Sequence, residues 1–189
     1  MNAVPAGVAQ YLGTANLALS LSPVDSPDAE LLQVNDRFCA LTGYAEADVL
    51  GRNCRFLQRH LTHQPGVAPL REFMADRNRR RVRTHLINFR ADGTPFINQL
   101  TLHRLTGPGG TPRLILASQF DVSAAAPSEL LDYNAELTEQ LRPQMRGRDE
   151  REMYLGSIQS IAEAAAAISQ ARFLMDEADR AGILGIHHP

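Results

Sequence analysis

Two residues of the 189 carry a thiol, Cys39 and Cys54, and they keep different company. Cys39, in DRFCALTG, sits among apolar residues and reads as core. Cys54, in GRNCRFLQ, stands between the amide of Asn53 and the guanidinium of Arg55, on a short segment that can serve as a rigid helical mount. A thiol is soft, easily oxidised and able to supply both a proton and a sulfur, so covalent chemistry is open to Cys54, although a lone cysteine is by default a buried, inert one. Two amides also stand inside otherwise apolar strands, Asn88 in LINF and Asn98 in INQL. A hairpin register in which opposed residue numbers sum to about 186 puts them side by side on one face. Burying two amides is costly unless something satisfies them.

Other polar clusters point to less. His60-x-x-His63 has a metal-like spacing, but no fourth ligand or second cysteine stands near, and surface histidines are the reading. Five Arg occupy the seven residues 77–83 (RNRRRVR). A nucleic-acid role is disfavoured there, because the chain carries a net charge of −2 and no aromatics interleave the arginines. A solvated loop, touching an acidic surface such as the chain's own tail, is the alternative. All 19 basic residues are Arg, which excludes a Schiff-base lysine, pyridoxal-type chemistry and a Walker lysine. No Ser/His/Asp arrangement or paired carboxylates stand out, so no enzyme is expected. Two cysteines are too few for a disulfide scaffold or a Cys-rich zinc site.

Apolar residues make up 44% and charged residues 21%, as in a soluble globular protein. No run approaches the ~18 apolar residues of a membrane span. The start, MNAVPAGVAQYLG, lacks a basic leader, and a cytoplasmic location is expected.

The elements that must position these residues change character near residue 127. Residues 1–127 hold 13 Arg against 10 acids; residues 128–189 hold 6 Arg against 11 acids. In the first part, residues 16–22 and 30–34 read as strands. Asp36 can cap a short helix that Gly43 ends, and residues 47–50 form another turn of helix closed by Gly51. Pro65 suits the first turn of a helix running to Ala75, with Val67, Leu70, Phe73 and Met74 on its apolar side. The period then becomes two: RVRTHLINF and PFINQLTLHRL form a hairpin around ADGT, and RLILASQFDV is a third strand. This is an α+β layout with one curved antiparallel sheet. The tail reads as two helices, one capped by Ser128, the other starting near Asp149 after Pro143 and Gly147. In the second, Tyr154, Ile158, Ile161, Ala165, Ile168 and Met175 make a coiled-coil type of seam interrupted by Arg172. Such a seam can pack on its own domain or self-associate as a hairpin or bundle.

Together GRNCRFLQ, the upstream NDRFCALTGY and the downstream LINF, INQLTL and ASQFDV resemble the LOV (light, oxygen, voltage) branch of the PAS superfamily, in order over residues 16–122. The resemblance implies a five-stranded antiparallel sheet and short helices enclosing a flavin, FMN with FAD as the alternative; outside it, residues 1–15 are read as an N-terminal cap and 123–189 as a two-helix extension. It implies that Cys54 adds reversibly to flavin carbon C4a under blue light. Gln119 matches the glutamine that bonds flavin O4 and N5, and Asn88 and Asn98 match contacts to the pyrimidine edge. Asn53 and Gln58 match ribityl and ring-edge contacts, and Arg55 and Arg71 match the phosphate grip. Leu57, Val67, Leu70, Met74, Leu100, Leu102 and Ile115 fall at further contact positions, mostly apolar wall. Two positions depart from the family: Ser22 stands for a common Thr, and Ala29 for an Asn, which puts one flavin contact in doubt.

The expected signal runs from Cys54 to Gln119, whose amide rearranges when N5 gains a proton, and along the last strand into the tail. One or two altered hydrogen bonds are worth about 1–3 kcal/mol, or roughly 5–150-fold in a coupled equilibrium. No room is left after residue 122 for a kinase, cyclase or phosphodiesterase, so the expectation is a short LOV photoreceptor that homodimerises through its helical extensions. A flavin-based redox sensor and a DNA-binding regulator that uses the tail are the alternatives. The tail's acidity opposes the latter.

Overall fold

The computed structural model of the chain describes residues 4–125 and 147–181. Helix α1 (Ala6–Thr14) leads into strand β1 (Ala18–Pro23) and the two-residue strand β2 (Gln33–Val34). Helices α2 (Asp36–Thr42) and α3 (Glu46–Val49), a 3-10 helix (Cys54–Gln58) and α4 (Val67–Ala75) follow. Strands β3 (Arg81–Phe89), β4 (Pro95–Thr106) and β5 (Pro112–Asp121) then form a meander, and the long helix α5 (Arg148–Arg180) closes the described chain. The five strands make one antiparallel sheet in the order β2-β1-β5-β4-β3, the α+β architecture expected from the sequence. The first expected tail helix, capped by Ser128, lies outside the described residues. No described helix is long and apolar enough to cross a membrane.

Period-two alternation gives the sheet two different faces. On one lie Leu19, Leu21, Leu105, Leu114 and Leu116, covered by Val8 and Leu12 of α1 and by Ala166 and Phe173 of α5. On the other lies a cavity roofed by the short helices and α4. One buried amide ties the elements together: Asn35 Oδ1 accepts from Leu19 N and Phe38 N, each at 3.0 Å, while Nδ2 donates to Leu12 O and Leu17 O. Asn35, and not Asp36, therefore caps α2, and Gly43 ends it in the left-handed region at φ 75°.

Three further boundaries differ from the sequence reading. The second strand shrinks to Gln33–Val34 because Leu31 exchanges backbone hydrogen bonds with Gly51 and Arg52. Helix α4 begins at Val67, two residues beyond Pro65, with Gly66 at its start. A Cβ on Gly66 would lie 2.0 Å from the His85 carbonyl oxygen, so only glycine lets this helix press against β3. In the hairpin, opposed residue numbers sum to 184: Phe89 faces Pro95 and Asn88 faces Phe96. The reason is Gly93, at φ 95°, which ends a three-residue loop closed by Arg90 N donating to Thr94 O.

Helix α5 docks on its own domain through small residues. Ile158, Ala162, Ala165, Ala166, Ser169 and Phe173 are buried, and Ala and Ser side chains let the helix approach the sheet closely. Gln170 pairs with the end of β4 as a strand would, accepting from Thr106 N at 2.8 Å and donating to Thr106 O at 2.7 Å. Asp176 caps the amide of Gly7 at the start of α1, and Arg172 donates to Gln10. The expected seam therefore splits. Ile158 and Ala165 turn inward, whereas Ile161, Ile168 and Met175 are 48%, 43% and 60% exposed.

Candidate functional site

A cavity of about 520 Å³ lies between the sheet and the helical roof, a size typical of small-molecule sites. Strand alternation supplies its floor: Ser20 and Ser22 from β1, Ile115, Ala117 and Gln119 from β5, Asn98, Leu100 and Leu102 from β4, Leu86 and Asn88 from β3. The 3-10 helix contributes Cys54, Arg55, Leu57 and Gln58, preceded by Asn53, and α4 contributes Val67, Leu70, Arg71 and Met74. Every residue proposed from the sequence as a site residue lines this one cavity. Phe73, read as part of the apolar side of α4, turns away into a separate cluster with Val24, Val82 and Ile115 and is stacked by Arg104.

Asn53 holds the 3-10 helix in place: its Oδ1 accepts from Arg55 N at 2.8 Å, and its Nδ2 donates to Asp28 O. The Cys54 side chain lines the cavity and is half-buried. Burial pushes its pKa up to about 12, with the nearby Ser20 side chain acting in the other direction. At neutral pH the group is a thiol carrying its proton, not a thiolate.

The polar floor has unfinished hydrogen bonding. Asn98 Nδ2 donates to Asn88 Oδ1 at 3.0 Å, and the two are diagonal neighbours, not directly opposed as the expected register had them. Asn98 Oδ1 is buried with no protein partner among the described residues. Gln119 Nε2 donates to Ser20 Oγ at 3.1 Å, and its Oε1 is likewise buried and unpartnered. Orphaned buried acceptors are rare, and two on one cavity wall call for a ligand with donors.

At the mouth, Arg55 pairs with Asp28 at 2.6 Å, and Arg71 has no ion-pair partner among the described residues. Ser22 spends its hydroxyl on the carbonyl of Ala29 at 3.1 Å, and Ala29 itself sits at φ 49°. Ser20, Leu86 and Ala117 are cavity residues that the sequence reading passed over. The alternation that selects Ser22 and Gln119 also selects Ser20 and Ala117, which face each other across β1 and β5.

Of the motifs set aside, the arginine run does reach the tail: Arg81 pairs with Glu163 at 2.7 Å, and Arg83 bonds Gln159. His60 packs on the Phe89 ring, and the His63 ring meets Thr62 Oγ1. No group of three or more His, Cys, Asp or Glu among the described residues could hold a metal ion.

Comparison with known proteins gives this architecture its family. A model of the PAS domain matches residues 20–124, more than half of the chain. Blue-light-activated histidine kinase 1 of Erythrobacter litoralis is 39% identical over 107 residues, which are 57% of this chain but 29% of that protein. Phototropin-2 of rice is 35% identical over 103 residues, 11% of its length. The chain thus spans well under half of these curated relatives. Among solved structures, a LOV protein of Rhodobacter sphaeroides superposes with a TM-score of 0.59 at 30% identity, covering 87% of this chain and 93% of that one. With its sheet order, its cavity and the cysteine on the cavity's 3-10 helix, the chain belongs to the PAS domain family, in the light-oxygen-voltage branch.

Proposed function

We propose that this chain is a blue-light photoreceptor, a sensor and not an enzyme, that holds FMN in the described cavity and responds through a reversible bond formed by Cys54. The observation that carries this reading is the placement of the Cys54 thiol and two orphaned amide acceptors on facing walls of one cavity. The residues fit a flavin. Asn98 Oδ1 and Gln119 Oε1 offer acceptors to ring donors. Leu57, Val67, Leu70, Leu100, Leu102 and Ile115 offer apolar surface to the rings. Arg71, and Arg55 once released from Asp28, offer guanidinium donors to a terminal phosphate at the mouth.

A bound flavin supplies blue-light absorption and an excited state that a thiol can attack. Cys54 would supply both the sulfur and the proton for a reversible thiol addition, so no external oxidant or reductant would be needed. Gln119 has one amide end tied to Ser20 and the other free, and it can re-pair when a neighbouring acceptor becomes a donor. Two residues along, the Asp121 carbonyl accepts from Tyr154 of α5, and Val122 packs with Ile158. This route joins the cavity floor to the tail helix within one strand end. The exposed residues Ile161, Ile168 and Met175, seven apart on α5, support homodimerisation through that helix as the output.

The deciding measurement is a visible spectrum of the purified protein before and after blue light. Flavin absorbance that bleaches and recovers in darkness is expected for the wild type. Cys54→Ala should keep the flavin and lose the bleaching. A Cys54→Ala protein that bleaches through the same thiol-type product overturns the assignment.

A further inference from the structure

We infer that Asp28, at the cavity mouth, sets how strongly the chain prefers a phosphorylated flavin to an uncharged one. Its carboxylate competes with the terminal phosphate for the Arg55 guanidinium. The inference rests on the flavin-binding reading above and deepens it.

Pro27, Asp28 and Ala29 line the cavity beside the start of the 3-10 helix. Three contacts tie this short segment to side chains assigned to the flavin. Arg55 pairs with the Asp28 carboxylate at 2.6 Å, Asn53 Nδ2 donates to the Asp28 carbonyl, and Ser22 Oγ donates to the Ala29 carbonyl at 3.1 Å. The Asn53 contact is a neutral one, and the amide keeps a second proton for a ligand. The ion pair differs, because it engages the charge that a phosphate needs. The two guanidiniums at the mouth are therefore unequal: Arg71 has no ion-pair partner among the described residues, and Arg55 is already taken.

A phosphate that arrives at Arg55 must either displace the carboxylate or share the cation with it. Displacement breaks an ion pair, and sharing sets like charges on one guanidinium. Both routes act against the phosphate. A flavin that ends in a ribityl hydroxyl makes no claim on the charge of Arg55 and is indifferent to the pair. The side chains of Arg55 and Asp28 are 61% and 48% exposed, so water screens the competition and its effect is severalfold.

The test uses the full chain loaded with FMN or with riboflavin and diluted until flavin is released, free flavin being read by its fluorescence. Asp28→Asn keeps the side-chain shape and the backbone carbonyl that Asn53 uses, and removes the charge. It should tighten FMN binding about fivefold and leave riboflavin within about twofold of wild type. Added salt should shrink the gain, a response that a role in shaping the mouth alone would not produce. In an Arg55→Gln background, Asp28→Asn should no longer favour FMN, because the contested cation is gone. If the substitution disturbs the mouth, both affinities fall together and their ratio still decides. An Asp28→Asn protein whose ratio of FMN to riboflavin affinity is unchanged or lower overturns the inference alone. So does a gain that survives whole in Arg55→Gln. A wild type that retains neither flavin overturns the flavin-binding reading, and the inference with it.

Discussion

Asn98 donates to Asn88 across 3.0 Å on the cavity floor, yet its own Oδ1 is buried with no partner among the described residues. The pair is thus half satisfied by the protein and left to be completed by a ligand. Replacing a buried, unpartnered polar group by an apolar one of similar size is nearly neutral or stabilising for the fold, whereas a ligand that relied on it loses its partner. Asn98→Leu removes that orphaned acceptor but strands Asn88 Oδ1 in its place, so the two effects offset and the flavin-free protein should stay within about 1 kcal/mol of wild type. The same change should weaken flavin binding by about 10–100-fold. Denaturant unfolding and flavin titration check the two halves separately. Unchanged flavin affinity would remove Asn98 from the site.

Ala29 sits at φ 49°, a left-handed conformation that costs an L-residue with a Cβ about 1–2 kcal/mol. The family's common asparagine at this position tolerates that geometry, so the departure from the family pattern is a backbone cost as well as a lost amide. Ala29→Asn is expected to raise stability by about 1 kcal/mol, or roughly 2–4 °C in Tm. Ala29→Val should lower it. An asparagine variant that melts below wild type would show that the side-chain environment, and not the backbone, decides this position.

How far the sequence could be read follows from what each signal depends on. The cavity wall was legible because strand alternation and a run of motifs both select it, and the sixteen proposed residues all line one space. The pairing of Asn88 and Asn98 was legible only to the face, because register depends on which loop residue takes the left-handed conformation, and Gly93 takes it one position earlier than the sum of 186 requires. The N-cap of α2 was assigned to Asp36 instead of Asn35, since both side chains can cap; the four bonds that fix Asn35 come from residues 12 to 38, which no local pattern reveals. The docking face of α5 was least legible. It is built mostly from Ala and Ser, which carry little hydropathy signal, while the larger Ile161, Ile168 and Met175 that dominate the heptad pattern point outward.

His103 makes the sheet-to-tail contact sensitive to acid. It stands on β4 opposite Arg81, and Glu163 of α5 pairs with that arginine. Burial, and then the Arg81 charge, hold its pKa below the usual 6.5, with Glu163 acting in the other direction. The folded chain therefore takes up this proton less readily than the unfolded one. Stability from this group is full above pH 6.5 and is lost as the pH falls from there through the lower folded value. Between about pH 7 and about pH 5 the wild type should lose more thermal stability than His103→Gln, which cannot titrate. Parallel melting profiles for the two proteins across that range would show that His103 contributes nothing to the acid response.

Ile161, Ile168 and Met175 recur at the heptad spacing on the outer side of α5, opposite the buried Ala162, Ala166 and Phe173. Ala164 and Ala171 lie between them on the same outer face, exposed and uncharged, so the stripe offers close approach as well as apolar surface. A charge placed on it would have to be buried without a partner in a two-fold pairing, whereas it would be solvated in a lone chain. Ile168→Arg should accordingly weaken self-association by at least about tenfold while leaving the flavin spectrum unchanged. Ala165→Arg, at a site 1% exposed against the sheet, should instead undock the helix and lower the melting temperature. Sedimentation or light scattering over a dilution series separates the two effects. If Ile161→Arg and Ile168→Arg both associate as wild type does, this face of α5 is not the contact between copies, and any dimer must be held by another surface.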